Sequence, residues 1–363
     1  MNRYVLSAVV ALGVVVCAGA LPVPAARADA GTTVTVMTRN LYFGTDLTPV
    51  IDAPNAQAFT TAVASAYDEA QASDFAERAG AWADEIALVH PDLVGLNEAV
   101  QWRTGPAGGP ATTDAGNFVP LLLSALAARG QHYVLASEST GYDVEAPGLF
   151  SNGLMDVRLT QHEAILARTD DALTLSNPQS EQYESPGTIE TIPTVVGTFT
   201  LPWSWASIDV TKNGQTFRVA TTHLDSDFGA IQAAQAQEFL NPLNGPAATT
   251  MPMILVGDLN SDADATSITG VVSDTETYSD FIAAGFRDSW AETRPGDPGY
   301  TCCEAENLLN PTPTLNTRID YVLTRGPITP LLDVLVGNTV LERLLYGRWA
   351  SDHAGVAAVL YVH

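Results

Sequence analysis

Apolar runs of strand length in this chain give out, one after another, into side chains that bind cations or carry protons. Thr33–Thr38 leads to Asn40, Leu93–Leu96 to Glu98, Thr216–Thr222 to His223, and Met253–Val256 to Asp258 and Asn260. Asp320 lies inside the short run Arg318–Leu323, and Asp352-His353 stands directly before the last run, Ala354–Val362. Runs of this length and pattern are strands with one or both faces buried. A strand end on a rigid sheet presents its side chain into a cleft. A merely solvated edge would not need these residue types each time. The chain is therefore constrained to a fold that stacks strands in buried layers and gathers their polar ends.

The remaining signals fill in the layers. Phe75, Ala79, Trp82, Ile86 and Val89 recur at helical spacing, with Ser73 or Asp74 placed to cap and Pro91 to stop the helix. Phe118–Arg129, stopped by Gly130, and Ala230–Leu240 read as further helices. Ile208–Thr211 and Thr216–Thr222 flank Asn213-Gly214, a hairpin signal. Gly105–Gly116 and Gly141–Gly153 read as Gly/Pro-rich loops. Hairpins mixed with helices argue for an α+β layered sandwich over a strictly alternating barrel. With no internal repeat and no long linker, residues 31–363 are expected to form one domain.

Met1–Ala30 reads as an export signal: Arg3, the apolar stretch Val5–Ala20, and small-x-small sites at Ala26-Arg27-Ala28 and Ala28-Asp29-Ala30. No later run approaches the ~18 apolar residues of a membrane span, so a secreted protein without a transmembrane anchor is expected. Beyond the leader the cysteines are Cys302 and Cys303. Neighbouring alpha carbons lie ~3.8 Å apart across a trans peptide, below the ~4.4–6.8 Å of ordinary disulfides. A strained vicinal bridge and two free thiols are both compatible with this pair. Sixteen Lys and Arg stand against 41 Asp and Glu, a net charge of −25, and the single lysine is Lys212. Such a surface excludes a protein held on polyanions by bulk electrostatics. It does not exclude an enzyme that meets one phosphate through a metal.

Glu98 and Asp352 are hard oxygen donors and Asn40 adds a neutral one, a set suited to Mg²⁺ or Mn²⁺. His223 and His353 can divide general acid and general base work, and Asp320 or Asp352 can orient a histidine. Asp258 and Asn260 alternate about Leu259, so both can face one site. Metal, oriented water and acid–base histidines together suggest hydrolysis at phosphorus. Asp258–Asp262 opens like an EF-hand loop, but Ala263 and Thr269 stand where Gly and Glu are needed. No G-x-S-x-G, P-loop or G-x-G-x-x-G is present.

The ordered series Thr38-Arg39-Asn40, Leu96-Asn97-Glu98, Thr221–Asp225, Gly257-Asp258-Leu259-Asn260, Arg318–Leu323 and Ser351-Asp352-His353 resembles the endonuclease/exonuclease/phosphatase superfamily, the deoxyribonuclease-I-like fold. The resemblance implies a four-layer α/β sandwich, two packed mixed β-sheets flanked by helices. It implies Glu98 as principal metal ligand, Asn40 close by, and Asp352 at the same metal or a second one. Asp258 and Asn260 would hold the attacking water and phosphate oxygens, and His353 would pair with Asp320. His223 would be a second catalytic histidine, as in the deoxyribonuclease, sphingomyelinase and inositol-phosphatase branches. Arg39 stands where the family has an aromatic residue, Asn97 where it has Gln, and Leu259 where it has Phe.

The activity so implied is Mg²⁺-dependent phosphodiester hydrolysis by in-line water attack, with nucleic acid as the expected substrate. The alternatives are a sphingomyelinase- or phospholipase C-like headgroup hydrolase and an inositol-phosphate phosphatase. An alternative of another class is a non-catalytic phospholigand-binding or toxin-like module. No stable protein partner is implied. Tyr142, Asn152, Arg158 and Arg168 are candidate mid-chain phosphate contacts. Trp203 and Trp205, beside Pro202, read as core or as an exposed apolar edge for membrane contact.

Overall fold

The computed structural model describes residues 31–170, 172–263 and 277–363, and the export signal expected at Met1–Ala30 lies outside them. The chain opens with β1 (Thr32–Asn40), α1 (Thr48–Ile51), α2 (Ala56–Ala72) and α3 (Phe75–Val89). Then come β2 (Leu93–Asn97), β3 (Gln101–Pro106), β4 (Thr113–Asn117) and α4 (Phe118–Ala128). A long stretch of strand follows: β5 (Tyr133–Phe150), β6 (Gly153–Arg168), β7 (Leu173–Gln182), β8 (Ile189–Thr194), β9 (Gly197–Pro202), β10 (Ser204–Lys212) and β11 (Gln215–His223). The rest comprises α5 (Gly229–Phe239), β12 (Met253–Asp258), α6 (Thr277–Ala283), β13 (Arg287–Asp288), α7 (Ser289–Thr293), β14 (Asp320–Arg325), β15 (Ile328–Val336) and β16 (Gly355–Val362).

An eight-stranded sheet runs β15-β16-β1-β2-β6-β3-β4, with β5 also on β6; a six-stranded sheet runs β13-β14-β12-β11-β10-β7. Both are mixed: β1 is parallel to β2 and antiparallel to β16, and β11 is parallel to β12 and antiparallel to β10. The inner faces meet through Val34, Val36, Ile165, Val219, Ile254 and Val256. At Gly95 the sheets press closest, because a Cβ there would lie 2.4 Å from Val256 Cγ2. Side chains of α2, α3 and α4 pack on the outer face of the larger sheet, and those of α5 and α6 on the smaller. The layers are those of the sandwich expected from the sequence.

Local chemistry explains the legible elements. Asp74 caps α3 by accepting from the Glu77 N–H, and Ala79, Trp82 and Ile86 are its buried stripe. His90 ends it in the left-handed region, at φ 55°, just before Pro91. Asn213 and Gly214 take φ of 52° and 85°, as a tight hairpin turn requires. Gly141–Gly153, expected as a loop, is instead mostly strand, the outer half of the β5–β6 hairpin. A register shift between Thr140 and Asp143 brings Gly141 to where a Cβ would meet the Gln161 amide, so only glycine fits. Because β5 pairs only with β6, it tolerates Pro147. Trp203 and Trp205 are buried, which rules out the exposed membrane edge.

Candidate active site

Strand register places the polar ends before any side chain is considered. Asn40 pairs with Asn97 across β1 and β2, while His223 pairs with Asp258 and Asp258 with Asp320 across β11, β12 and β14. Just past these ends Tyr42, Glu98 and Asn260 take positive φ, at 56°, 51° and 47°. Non-glycine residues rarely hold this conformation, and where they do it re-aims the chain at functional sites. Glu98, His223, Asp258, Asn260, Asp352 and His353 then line one cleft of about 740 Å³. Asn40 and Asp320 stand behind it.

Asp258 is the centre. Its Oδ2 lies 3.1 Å from Asn40 Nδ2 and 3.6 Å from both His223 Nε2 and His353 Nδ1, and its Oδ1 accepts from the Asn260 N–H. His353 Nδ1 is bound to Asp320 Oδ2 at 2.8 Å, and Asn260 Nδ2 lies 2.8 Å from His223 Nε2. Asn40 Nδ2 also donates to Glu98 Oε1, and the Phe43 N–H donates to Glu98 Oε2. The amide oxygen of Asn40 accepts from the Tyr42 N–H. Asn40 therefore holds Glu98 and Asp258 in place through its amide nitrogen, while its oxygen is bonded to the Tyr42 N–H.

Burial and neighbours pull the titrating groups in opposite directions. Burial pushes Asp258 up to about 8, helped by Asp320, and Glu98 up to about 7, helped by Asp352. Burial holds His223 down at about 3. Burial also opposes a charge on His353, but Asp320 and Asp352 outweigh it and raise this imidazole well above its ordinary value.

The residues that depart from the family pattern support the site without lining it. Arg39 forms a fork to Glu85 and donates to the His353 carbonyl. Asn97 accepts from the Asp258 N–H and donates to the buried Glu163. Arg78, also buried, bonds the carbonyls of Leu41, Tyr42 and Ala350, tying together the loops after β1 and before β16. Isolated positions of this kind carry no local sequence signal, since what they do depends on long-range pairing. Of the mid-chain candidates, Tyr142 lines the cleft. Arg158 is spent on Asp143, Arg168 on Asp92, and Asn152 is exposed on the β5–β6 turn. Cys302 and Cys303 form a vicinal disulfide on the cleft wall.

The donor set suits a hard divalent cation. Two carboxylates, the buried Glu98 and the half-buried Asp352, each raised from the ordinary range, share one corner with no Lys or Arg among the described cleft-lining residues. A bound Mg²⁺ or Mn²⁺ would supply the missing positive charge. Asp258, Asp320 and His353 also bring ligand atoms within 4.8 Å of one another, but the Asp320–His353 bond already occupies that group.

Fold and site together define a metal-dependent phosphoric ester hydrolase built on two packed sheets. The chain belongs to the Endonuclease/Exonuclease/phosphatase family, whose model matches residues 40–353. A family protein from Bacteroides thetaiotaomicron has a similar structure: 16% identity, TM-score 0.57, covering 92% of this chain and 99% of that one. The mannosyl-6-phosphatase Bt3783 of the same organism is similar at 17% identity and TM-score 0.55, over 90% of this chain and 99% of that one. A humanized D. rerio TDP2 is similar at 18% and 0.51, over 90% and 98%. At these identities the likenesses establish the fold. No curated protein matches the chain.

Proposed function

We propose that the chain is an exported phosphodiesterase using Mg²⁺ or Mn²⁺ held by Glu98 and Asp352. The observation that carries the reading is the convergence on Asp258 of Asn40, His223, Asn260 and His353, drawn from four separate strand ends. The metal would neutralise non-bridging phosphate oxygens when bound. Asp258 and Asn260 orient the water and the phosphate, and His223 and His353 move the protons of the attacking water and the leaving oxygen. Export follows from the leader at Met1–Ala30.

The cleft favours a compact phosphodiester over the nucleic acid first expected from the family. Asp46 and Glu306 join the catalytic carboxylates on the lining, and Tyr42, Phe43, Tyr142 and Trp203 supply aromatic surface. A polynucleotide carries one charge per phosphate and needs cationic side chains along its track. The test is hydrolysis of bis-p-nitrophenyl phosphate, plasmid DNA and phosphocholine-headed lipid in parallel, with Mg²⁺ or EDTA and with Glu98→Gln. Release of nitrophenol that EDTA and Glu98→Gln abolish supports the reading, and metal-independent turnover refutes it. Efficient plasmid nicking would restore nucleic acid as substrate.

A further inference from the structure

Beside the cleft lies a second, apolar cavity with about 680 Å³ of empty space, open in part to solvent. Its walls are Val63 and Ala66 of α2, Trp102 of β3, Leu159 of β6, and Phe199 and Leu201 of β9. Among the described lining residues Thr194 alone has a hydroxyl, and the Trp102 indole N–H is already donated to the Phe43 carbonyl at 3.1 Å. Protein interiors leave few voids larger than a water. A space lined by apolar groups excludes water and accepts apolar guests. Among the described residues no charged side chain lines it, so a charged occupant would lose its hydration without compensation.

The cavity meets the catalytic cleft at one shared residue. Leu47 lines both spaces. In the loop leading to it, the Phe43 N–H binds Glu98 while its carbonyl holds Trp102. On the other side, β9 carries Phe199 and Leu201 into the cavity. Two residues later Trp203 lies against His223, ring centroids 4.6 Å apart. A molecule whose phosphate sits among Glu98, Asp258 and His223 thus has an apolar cavity close by, adjoining the cleft at Leu47.

We propose that this cavity holds the hydrocarbon chain of an amphiphilic phosphodiester whose phosphate is hydrolysed in the cleft. The inference rests on the phosphodiesterase reading above and names its substrate class. The test is a series of p-nitrophenyl alkyl phosphodiesters from methyl to dodecyl, each below its micelle concentration. The expected result is a rise in kcat/KM of about fourfold per methylene while the chain is being buried, then a plateau. Ala66→Phe, which fills the cavity, should move the plateau to shorter chains, and Val63→Ala should move it to longer ones. A melting curve checks that each variant folds, and Val63→Ala carries the test should Ala66→Phe fail to. A catalysis-independent arm titrates decylphosphonate and methylphosphonate into metal-free protein by calorimetry. Tighter binding of the decyl compound, weakened in Ala66→Phe, supports the assignment. A flat chain-length series overturns it, as does a rise of the same length in wild type and both variants, or equal binding of the two phosphonates. Decylphosphonate binding without hydrolysis of any diester would support the cavity and sink the hydrolase reading instead.

Discussion

The two histidine corners of the site use one residue type in opposite ways. His353, on the edge before β16, has its Nδ1 on Asp320 at 2.8 Å and its carbonyl held by Arg39. His223, at the end of β11, meets an amide and an indole: Asn260 at 2.8 Å and Trp203 edge-on at 4.6 Å. Asp320 and Asp352 raise the first imidazole above its ordinary value, while burial and then the charge of His353 lower the second. The contrast teaches that a histidine's role at a strand end is set by the strands that pair beside it. Two groups pushed apart in this way can divide proton transfers between them.

Removing either ring tests the comparison most severely. His353→Ala and His223→Ala should each lower kcat on bis-p-nitrophenyl phosphate by about 10²–10⁴-fold with the fold retained by circular dichroism. Near-normal turnover in either purified variant would end its assignment. A buried cation, Arg78, ties the loop before His353 to the loop after β1, and breaking it should show in stability. Arg78→Met leaves the Leu41, Tyr42 and Ala350 carbonyls without their donor, a loss of about 2–4 kcal/mol. A denaturant midpoint unchanged at constant slope would contradict this.

The partners should separate the corners further. Asp320→Asn keeps the shape but removes the charge that orients His353, and turnover should fall by about 10–100-fold, less than on removing the ring. A loss equal to that of His353→Ala would mean Asp320 does more than orient. Trp203→Phe keeps an aromatic edge on His223, so its effect on kcat should stay within about threefold. A loss as large as that of Asp320→Asn would show that the indole is as demanding a partner as the carboxylate.

The two corners also differed in how openly the sequence displayed them. Asp258, Asn260, Asp320 and His353 fall on or beside short strands whose apolar pattern is unambiguous, and the register of those strands brings them together. The parts around Trp203 were harder to read. The long β5–β6 hairpin carries Gly141, Pro147 and Gly148, which read locally as loop, and only cross-strand pairing makes them strand. The β8–β9 ribbon pairs with neither main sheet, so its alternation has no long buried partner to make it stand out. Arg39, Arg78 and Asn97 gain their meaning from residues far along the chain. Asn40 was legible as a site residue, but which of its amide atoms faces the cleft is decided by the Tyr42 N–H.

The smallest effect tests a buried carboxyl just beyond the His223 corner. Glu190 on β8 is buried facing Asp225, two residues beyond His223, and Asp225 receives the Asp227 and Phe228 N–H groups. Burial, then the charges of Asp225 and Asp227, push the Glu190 carboxyl from 4.5 to about 8. The folded protein therefore binds this proton more tightly than the unfolded chain. Its contribution to stability is complete below about 4.5 and is lost as pH rises toward 8. Glu190→Gln keeps a neutral side chain at every pH. Its Tm relative to wild type should therefore climb between pH 5 and pH 8.5, by about 2 °C or more. A difference that stays constant across that range would show that Glu190 titrates as an ordinary carboxylate.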